Sequence, residues 1–543
     1  MPTFQTRLTP ALIERYTRSG HWGTETFSLV LARRAEGHPD RVAIVDRGER
    51  VRYGELRARV DRVAAGFQAL GIGAGDVVTI QLPNWAAFAY VFFACERIGA
   101  VANQIGPDFR SREVEYILRF SESRAFVCPA SFKNFDYVAM IQELRPQLPD
   151  LTSVLVLGGD RTEGSVALDP IIDGTRTLPP LVPRTMSAND VMRTAFTSGT
   201  TGNPKGVTHS FNTTLPACRI LNDAMEVTGD EVFLVYLPLG LNWGYLTLLQ
   251  SIMVGARAVL LDRFSGRAAL ELIERERVTF IPSAPASIIA MLNDPELDRF
   301  DLRSLRVVIT GGASCPVETI RAYRRRFPGH LIELYGMLET GFHTFTRFTD
   351  DPEAVAGSIG RVAKGMGLRI IDGDGRDVPT GGEGEIAAEG PSVHLGYHKN
   401  PAANAELFTA DGWFRTGDLG RIDPAGNVRI VGRLKEMINR GGKKFFPREI
   451  EEILYTHPKV LHAAIVGVPD PRLGERNCLC LIPRAGASLS LEEALKFLGD
   501  SVATYKLPEE LELFEEFPFT ATGKIQRHAL TRQVLARREG GTR

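Results

Sequence analysis

The chain has 543 residues, 64 basic and 65 acidic side chains, a net charge of −1 at pH 7, and 44% hydrophobic against 24% charged residues. That length exceeds what one hydrophobic core organises, so at least two domains are expected. The charge balance excludes nucleic acid or an anionic membrane as the main partner, and the longest apolar run, residues 85–95, is too short to span a bilayer and predicts a buried helix.

Residues 1–20 contain charges and no apolar stretch, so no secretory signal is expected. Six scattered cysteines without a C-x-x-C pair fit a reduced, cytoplasmic setting with neither disulfides nor zinc. Residues 42–45 read as a strand, Leu56, Val60, Val63, Phe67 and Leu70 recur at helical spacing, and residues 77–82 read as another strand. This alternation predicts an α/β fold with a mainly parallel sheet covered by helices, and it repeats through 271–282 and 307–327. Residues 158–190 are irregular and proline-rich, as a surface connection is.

Residues 190–195 predict a short strand that runs into Phe196-Thr197-Ser198-Gly199-Thr200-Thr201-Gly202-Asn203-Pro204-Lys205-Gly206. Backbone N–H groups and hydroxyls in such a loop can converge on phosphate oxygens, and Lys205 adds charge. The spacing differs from the common G-x-x-x-x-G-K-[ST] phosphate loop, and a plain flexible turn has the same composition. Only eleven of the 64 basic residues are lysines, seven of them beyond residue 430. Lys205, Lys435 and Lys524 therefore stand out as positions where a compact point charge is preferred to a guanidinium. Past Gly432 the texture changes: Pro447 opens a helix carrying Ile450, Ile453 and Leu454, residues 460–468 predict a strand, and Ser490 with Glu493 predicts a capping box. The expected division is 1–432 and 433–543, with an exposed hinge near Lys435.

Six further segments follow the glycine loop in order: Val308-Ile309-Thr310-Gly311-Gly312-Ala313, Tyr335-Gly336-Met337-Leu338-Glu339-Thr340, Gly384-Glu385-Ile386, Trp413-Phe414-Arg415-Thr416-Gly417-Asp418, Gly432-Arg433-Leu434-Lys435, and Pro518-Phe519-Thr520-Ala521-Thr522-Gly523-Lys524-Ile525. Each is weak alone. Together, over nearly the whole chain, they closely resemble the adenylate-forming superfamily of acyl-CoA synthetases, peptide-synthetase adenylation domains and firefly luciferase. The resemblance implies a large N-terminal domain of parallel sheets plus a small barrel, and a small mobile α+β C-terminal domain. It implies ATP, Mg²⁺ and coenzyme A, and a reaction in which a carboxylate attacks the α-phosphate of ATP before a thiol displaces AMP.

By resemblance, Thr197, Ser198, Gly199, Thr200, Thr201, Gly202 and Lys205 hold the β- and γ-phosphates, and Glu339 holds Mg²⁺. Tyr335, followed by Gly336 and Met337, would stack on adenine against Gly311, Gly312 and Ala313, while Asp418 accepts both ribose hydroxyls beside Arg433. Lys524 would be the catalytic lysine bridging carboxylate and α-phosphate, with Lys435 at the hinge about which the small domain rotates. Rotation would bring Gly441 and Gly442 towards the coenzyme A thiol. Lys443 and Lys444 would meet its phosphates or form a solvated basic turn.

Two departures from the pattern stand out. Leu338 replaces the usual threonine, whose hydroxyl contacts the α-phosphate at a cost of about 1–3 kcal/mol if lost, although Thr340 or water can substitute. Gly240 and Leu241, ahead of Asn242 and Trp243, stand where many acyl-CoA synthetases carry an aromatic residue and histidine. They suggest a wider, more apolar acyl pocket, also lined by Gly311 and Met337. No aspartate for an α-amino group is present, so the expected substrate is a medium-chain, alicyclic or otherwise bulky acid with an uncharged tail, natural-product acids included. Two rivals are a ligase that loads a carrier protein in trans and a nucleotide-binding pseudoenzyme. The assembly state, monomer or homodimer, is left open.

Overall fold

The computed structural model describes residues 4–159, 164–197, 204–313, 315–520 and 523–540. Its strands form two large, mainly parallel sheets, with the helices Tyr53–Ala69, Ala86–Ile98, Phe211–Ala224 and Asn242–Val254 packed into one core between them. The predicted buried helix is Ala86–Ile98. It is apolar nearly all round, every side chain but Arg97 is buried, and Gly99 ends it at φ +77°. A helix without a polar face suits only this position between layers.

The seven-stranded sheet runs in the order Gly206–Ser210, Val191–Phe196, Val101–Gln104, Val77–Ile80, Ser123–Pro129, Ser153–Leu157, Val166–Ala167. Only its Gly206–Ser210 edge is antiparallel, pairing Phe196 with Gly206, so the glycine loop joins two hydrogen-bonded neighbours. In the nine-stranded sheet, Val307–Gly311 and His330–Met337 lie side by side and parallel, and Gly341–Phe345 turns back antiparallel on the latter. Within the stretch 158–190, the described residues 164–190 carry regular structure that composition alone does not predict. They supply the edge strand Val166–Ala167 and a helical turn, Asp169–Ile172, whose Ile171 is buried against Gly66.

The expected small barrel is a four-stranded antiparallel sheet, Gly367–Ile371, Gly384–Glu389, Phe414–Ile422 and Val428–Arg433. A single 3-10 turn, Leu434–Glu436, leads from it to the C-terminal sheet. There the long hairpin Val460–Asp470 and Gly474–Pro483 alternates side chains between two small cores. Ile465, Leu479 and Leu481 pack on the helix Arg448–Leu454, while Val466 and Cys480 pack near Leu530 and Val534. Half of the predicted capping box is present: Ser490 Oγ accepts from Glu493 N at 3.1 Å, while the Glu493 carboxylate pairs with Lys459. No helix among the described residues is long and apolar enough to cross a membrane.

Candidate active site

The neck of the glycine loop is closed by Thr197 and Lys205. Thr197 N donates to Lys205 O at 3.1 Å, and Lys205 N donates back to Thr197 Oγ1 at 3.2 Å. Ser198, Gly199, Thr200, Thr201 and Gly202 lie outside the described residues. Lys205 Nζ stands 5.0 Å over the ring of Tyr397, and the Tyr397 hydroxyl donates to Glu339 Oε1 at 3.0 Å. Tyr397 thus couples the loop's cation to the carboxylate expected to hold Mg²⁺. Burial raises the pKa of Glu339, which favours a cation beside it. Sequence reasoning missed Tyr397, although the run His394-Leu395-Gly396-Tyr397-His398, aromatic around a glycine, held the signal. The run pairs along Gly206–Ser210, with His398 N on Gly206 O and Thr208 N on Gly396 O.

Leu338 packs beside Val207, Tyr397, Phe408 and Phe414. Its main chain is held by a second residue missed in the sequence: His209, kept neutral by burial, donates from Nε2 to Leu338 O at 2.8 Å. Thr340 does not replace the lost hydroxyl at the site. It is fully buried, with Oγ1 on Gly341 O at 3.4 Å.

Asp418 and Arg433 face each other across paired strands, Arg433 Nε to Asp418 Oδ1 at 2.7 Å. The other oxygen, Oδ2, accepts from Tyr335 Oη at 2.7 Å. The Tyr335 ring, expected on adenine, is 7% exposed and packs with Ile359, Ile370, Ile386 and Val428. Gly336 allows the strand to fold back, since a Cβ there would sit 2.1 Å from Gly341 O. Lys524 enters from the small domain. Its Cε lies 3.7 Å from where a Gly312 Cβ would be, Trp243 lies equally close, and Gly523 abuts Ala284. Burial, then the neighbouring Arg433, lowers the Lys524 pKa to about 8, against the opposing pull of Asp418, Glu436 and Glu339. The structure therefore brings Lys524, Glu339, Asp418, Arg433 and Gly312 together, with Ala313 two residues past the strand Val307–Gly311 and Met337 O accepting from Asn242 Nδ2 at 3.4 Å.

The acyl segment corrects one expectation. Gly240 does not widen a cavity: a Cβ there would lie 2.0 Å from Ile105 O, so backbone already fills the space. Gly244 is likewise required, 2.2 Å from Leu237 O. Leu241, Asn242 and Trp243 are half-buried at the start of their helix, and the Trp243 ring covers Gly311 at 3.0 Å from the position of its missing Cβ. Lys435 is exposed in the connecting 3-10 turn, between Arg433 and Glu436, both of which act on Lys524. Gly441 and Gly442, at φ +60° and +85°, form the two-residue tip of the hairpin Ile438–Arg440 to Lys443–Phe445. Positive φ at both positions is the geometry such a tip needs, so these glycines have a local structural reason; Lys443 and Lys444 beside them are exposed.

Residues 31–398 match the AMP-binding enzyme family, and residues 449–524 match the AMP-binding enzyme C-terminal domain. The medium-chain fatty-acid–CoA ligase of Escherichia coli K12 is 34% identical over 529 residues, covering 96% of this chain and 93% of that protein. The 2,3-dihydroxybenzoate-AMP ligase of Bacillus subtilis 168 is 34% identical over 526 residues, covering 96% of each. The structure of ATP-bound MatB from Rhodopseudomonas palustris superposes with a TM-score of 0.83 at 27% identity, over 93% of this chain and 98% of that one. Family matches in both parts of the chain, with a lysine in the field of two carboxylates and a glycine-loop neck linked to one of them, identify a member of the AMP-binding enzyme family within the adenylate-forming superfamily, an AMP-forming acid–thiol ligase.

Proposed function

We propose that this ligase activates a medium-chain, alicyclic or otherwise bulky carboxylic acid with ATP and passes the acyl group to coenzyme A, releasing AMP, in the cytoplasm. The observation that carries the reading is Lys524. A lysine of the small domain is held against Gly312 and Trp243 of the large one, in the field of Asp418 and Glu339. In the first half-reaction the acid's carboxylate oxygen bonds to the α-phosphorus and the bond to the pyrophosphate oxygen breaks. Two anions must meet for this, so preorganised positive charge lowers the barrier. The Lys524 ammonium bridges carboxylate and α-phosphate, and the glycine loop with Lys205 receives the departing pyrophosphate. Arg433 and Asp418 orient the ribose, whose hydroxyls take over the Oδ2 position that Tyr335 holds.

Glu339 suits Mg²⁺, because this ion keeps several waters and needs only one or two carboxylates beside phosphate oxygens; bound there it would neutralise phosphate charge. In the second half-reaction the thiolate attacks the acyl carbon and AMP leaves. The small domain, 433–543, would turn about Lys435 to withdraw Lys524 and present Gly441 and Gly442. Leu241, Trp243, Met337 and Leu338 make the mouth of the acyl site apolar, and the Escherichia coli relative's medium-chain acid agrees with that lining.

The test is a panel of short, medium, alicyclic, aromatic and polycyclic acids with coenzyme A, following AMP, pyrophosphate and product mass. Acid-dependent AMP with an acyl-CoA product supports the reading. An adenylate that ignores coenzyme A moves the assignment to carrier loading, and no product with any acid makes the protein a nucleotide binder. Lys524→Ala should abolish adenylate formation yet leave thioester formation from a supplied acyl-adenylate within about ten-fold. Equal loss of both would refute the rotation.

A further inference from the structure

One cation in the core has no part in the chemistry above. Arg193 lies on Val191–Phe196, four residues before the glycine-loop neck, and is 1% exposed. Its Nη2 donates to Asn242 Oδ1 at 2.7 Å, and its guanidinium lies 4.4 Å from the centre of the Tyr245 ring. Nε and Nη1 are buried without a hydrogen-bond partner among the described residues. The groups that act on it electrostatically are Tyr245 and Cys218, not a carboxylate, and Asn242 is neutral. Guanidiniums are rarely buried without a counter-charge, because desolvation is then uncompensated.

The surroundings point the same way. Arg193 pairs in register with Ala102, and Ala195 with Gln104, on the face turned to the core between the sheets. Gln104 is 1% exposed, and among the described residues both its Nε2 and Oε1 and the buried Nε1 of Trp243 lack hydrogen-bond partners. Ile105, next to Gln104, is the residue whose backbone excludes a side chain at Gly240. Arg193 thus reaches the segment 240–243 directly through Asn242, and Gln104 stands one register step along the same sheet face. A core evolved for a purely apolar tail would fill these positions with apolar groups.

We propose that Arg193, with Asn242 and Gln104, is a specificity-determining subsite for a second carboxylate on the acid, so that the preferred substrates are dicarboxylic acids with an apolar body. The inference rests on the acid-activating reading above and departs from the uncharged tail expected of the sequence. The distal carboxylate supplies the counter-charge, its oxygens accepting from Nη1 and Nε of Arg193 and from Gln104 Nε2. A guanidinium suits this task because it is always charged and donates in a planar fork.

The test compares matched acids under the full reaction with ATP and coenzyme A: octanoate with octanedioate, cyclohexanecarboxylate with cyclohexane-1,4-dicarboxylate, and benzoate with benzene-1,4-dicarboxylate. In the wild-type enzyme kcat/KM for the better diacid should exceed that of its monoacid at least ten-fold. In Arg193→Met that ratio should collapse towards one, through a raised KM for the diacid. Monoacids preferred by the wild type, or a diacid preference that survives Arg193→Met, would overturn the proposal. Should Arg193→Met not fold, the wild-type ratios decide alone, and Gln104→Leu, expected to reduce the diacid ratio at least three-fold, supplies the second variant. AMP release with monoacids only would sink this inference and leave the ligase reading standing, whereas no AMP with any acid would sink the ligase reading itself.

Discussion

On the mechanism proposed above, the first half-reaction depends on the protonation of Lys524. Burial beside Arg433 lowers its pKa from 10.5 to about 8, and only the ammonium form can bridge two anions. The protonated fraction in the free enzyme falls as pH rises through that value. The kcat/KM for adenylation should therefore drop about ten-fold per unit above pH 8. Thioester formation from a supplied adenylate should lack that limb, and pyrophosphate exchange against pH reads the first step directly. Tyr397 acts through Glu339. Removing its hydroxyl with Tyr397→Phe leaves a buried carboxylate short of a donor, a change of about 1.5–3 kcal/mol. Adenylation should slow about ten- to hundred-fold, with a higher Mg²⁺ requirement. An unchanged rate and Mg²⁺ dependence would show that Glu339 is held without it.

At the scale of elements, glycines decide where segments can touch. Gly240→Ala would drive a methyl carbon into the Ile105–Gly106 backbone, so the loop entering the helix Asn242–Val254 must move. A loss of about 1–3 kcal/mol is expected in a denaturant melt, together with impaired acid binding because Asn242 and Trp243 follow directly. Gly442 has open space around it and a φ of +85°, so only backbone strain opposes a side chain. Gly442→Val should cost about 1–3 kcal/mol in the C-terminal domain and Gly442→Asn far less, since asparagine tolerates the left-handed region. Similar melts for the two variants would show that the hairpin tip does not need that geometry.

Across the whole molecule, the two parts of the chain meet electrostatically at Glu333. This carboxyl, on His330–Met337, is pushed up to about 8 by burial, and Arg448 of the small domain is the largest of the groups that oppose the shift. The folded state keeps the proton to near pH 8, while the unfolded chain releases it near 4.5. Its contribution to stability is present in full below the lower value and is lost as pH rises through the upper one. Glu333→Gln mimics the protonated form. It should match wild type near pH 4.5 and be more stable by roughly 2–4 kcal/mol at pH 8.5, as read from paired melts. A constant difference across that range would contradict the assignment. Because Arg448 sits on the small domain, any rotation that removes it would raise the Glu333 pKa further and add to the difference.

The amino-acid sequence by itself determined the α/β class, the buried helix Ala86–Ile98, the strand Val191–Phe196 leading into the glycine loop, and the C-terminal helix and the strand Val460–Asp470. Periodicity, turn chemistry and motif order are local, and they are written along the chain. That Lys524 lies against Gly312, more than two hundred residues away in the chain, followed only from the resemblance, and the structure supplies the contact. Tertiary structure alone decided the rest. Tyr397 and His209 acquire their roles from partners at Glu339 and Leu338, distant in sequence. Gly240 looked like missing bulk until the Ile105 backbone was seen to fill the space. Arg193 was one arginine among many in a chain rich in them. Its meaning depends on burial without a counter-charge among the described residues, and burial is a property of three dimensions that no single stretch of sequence contains.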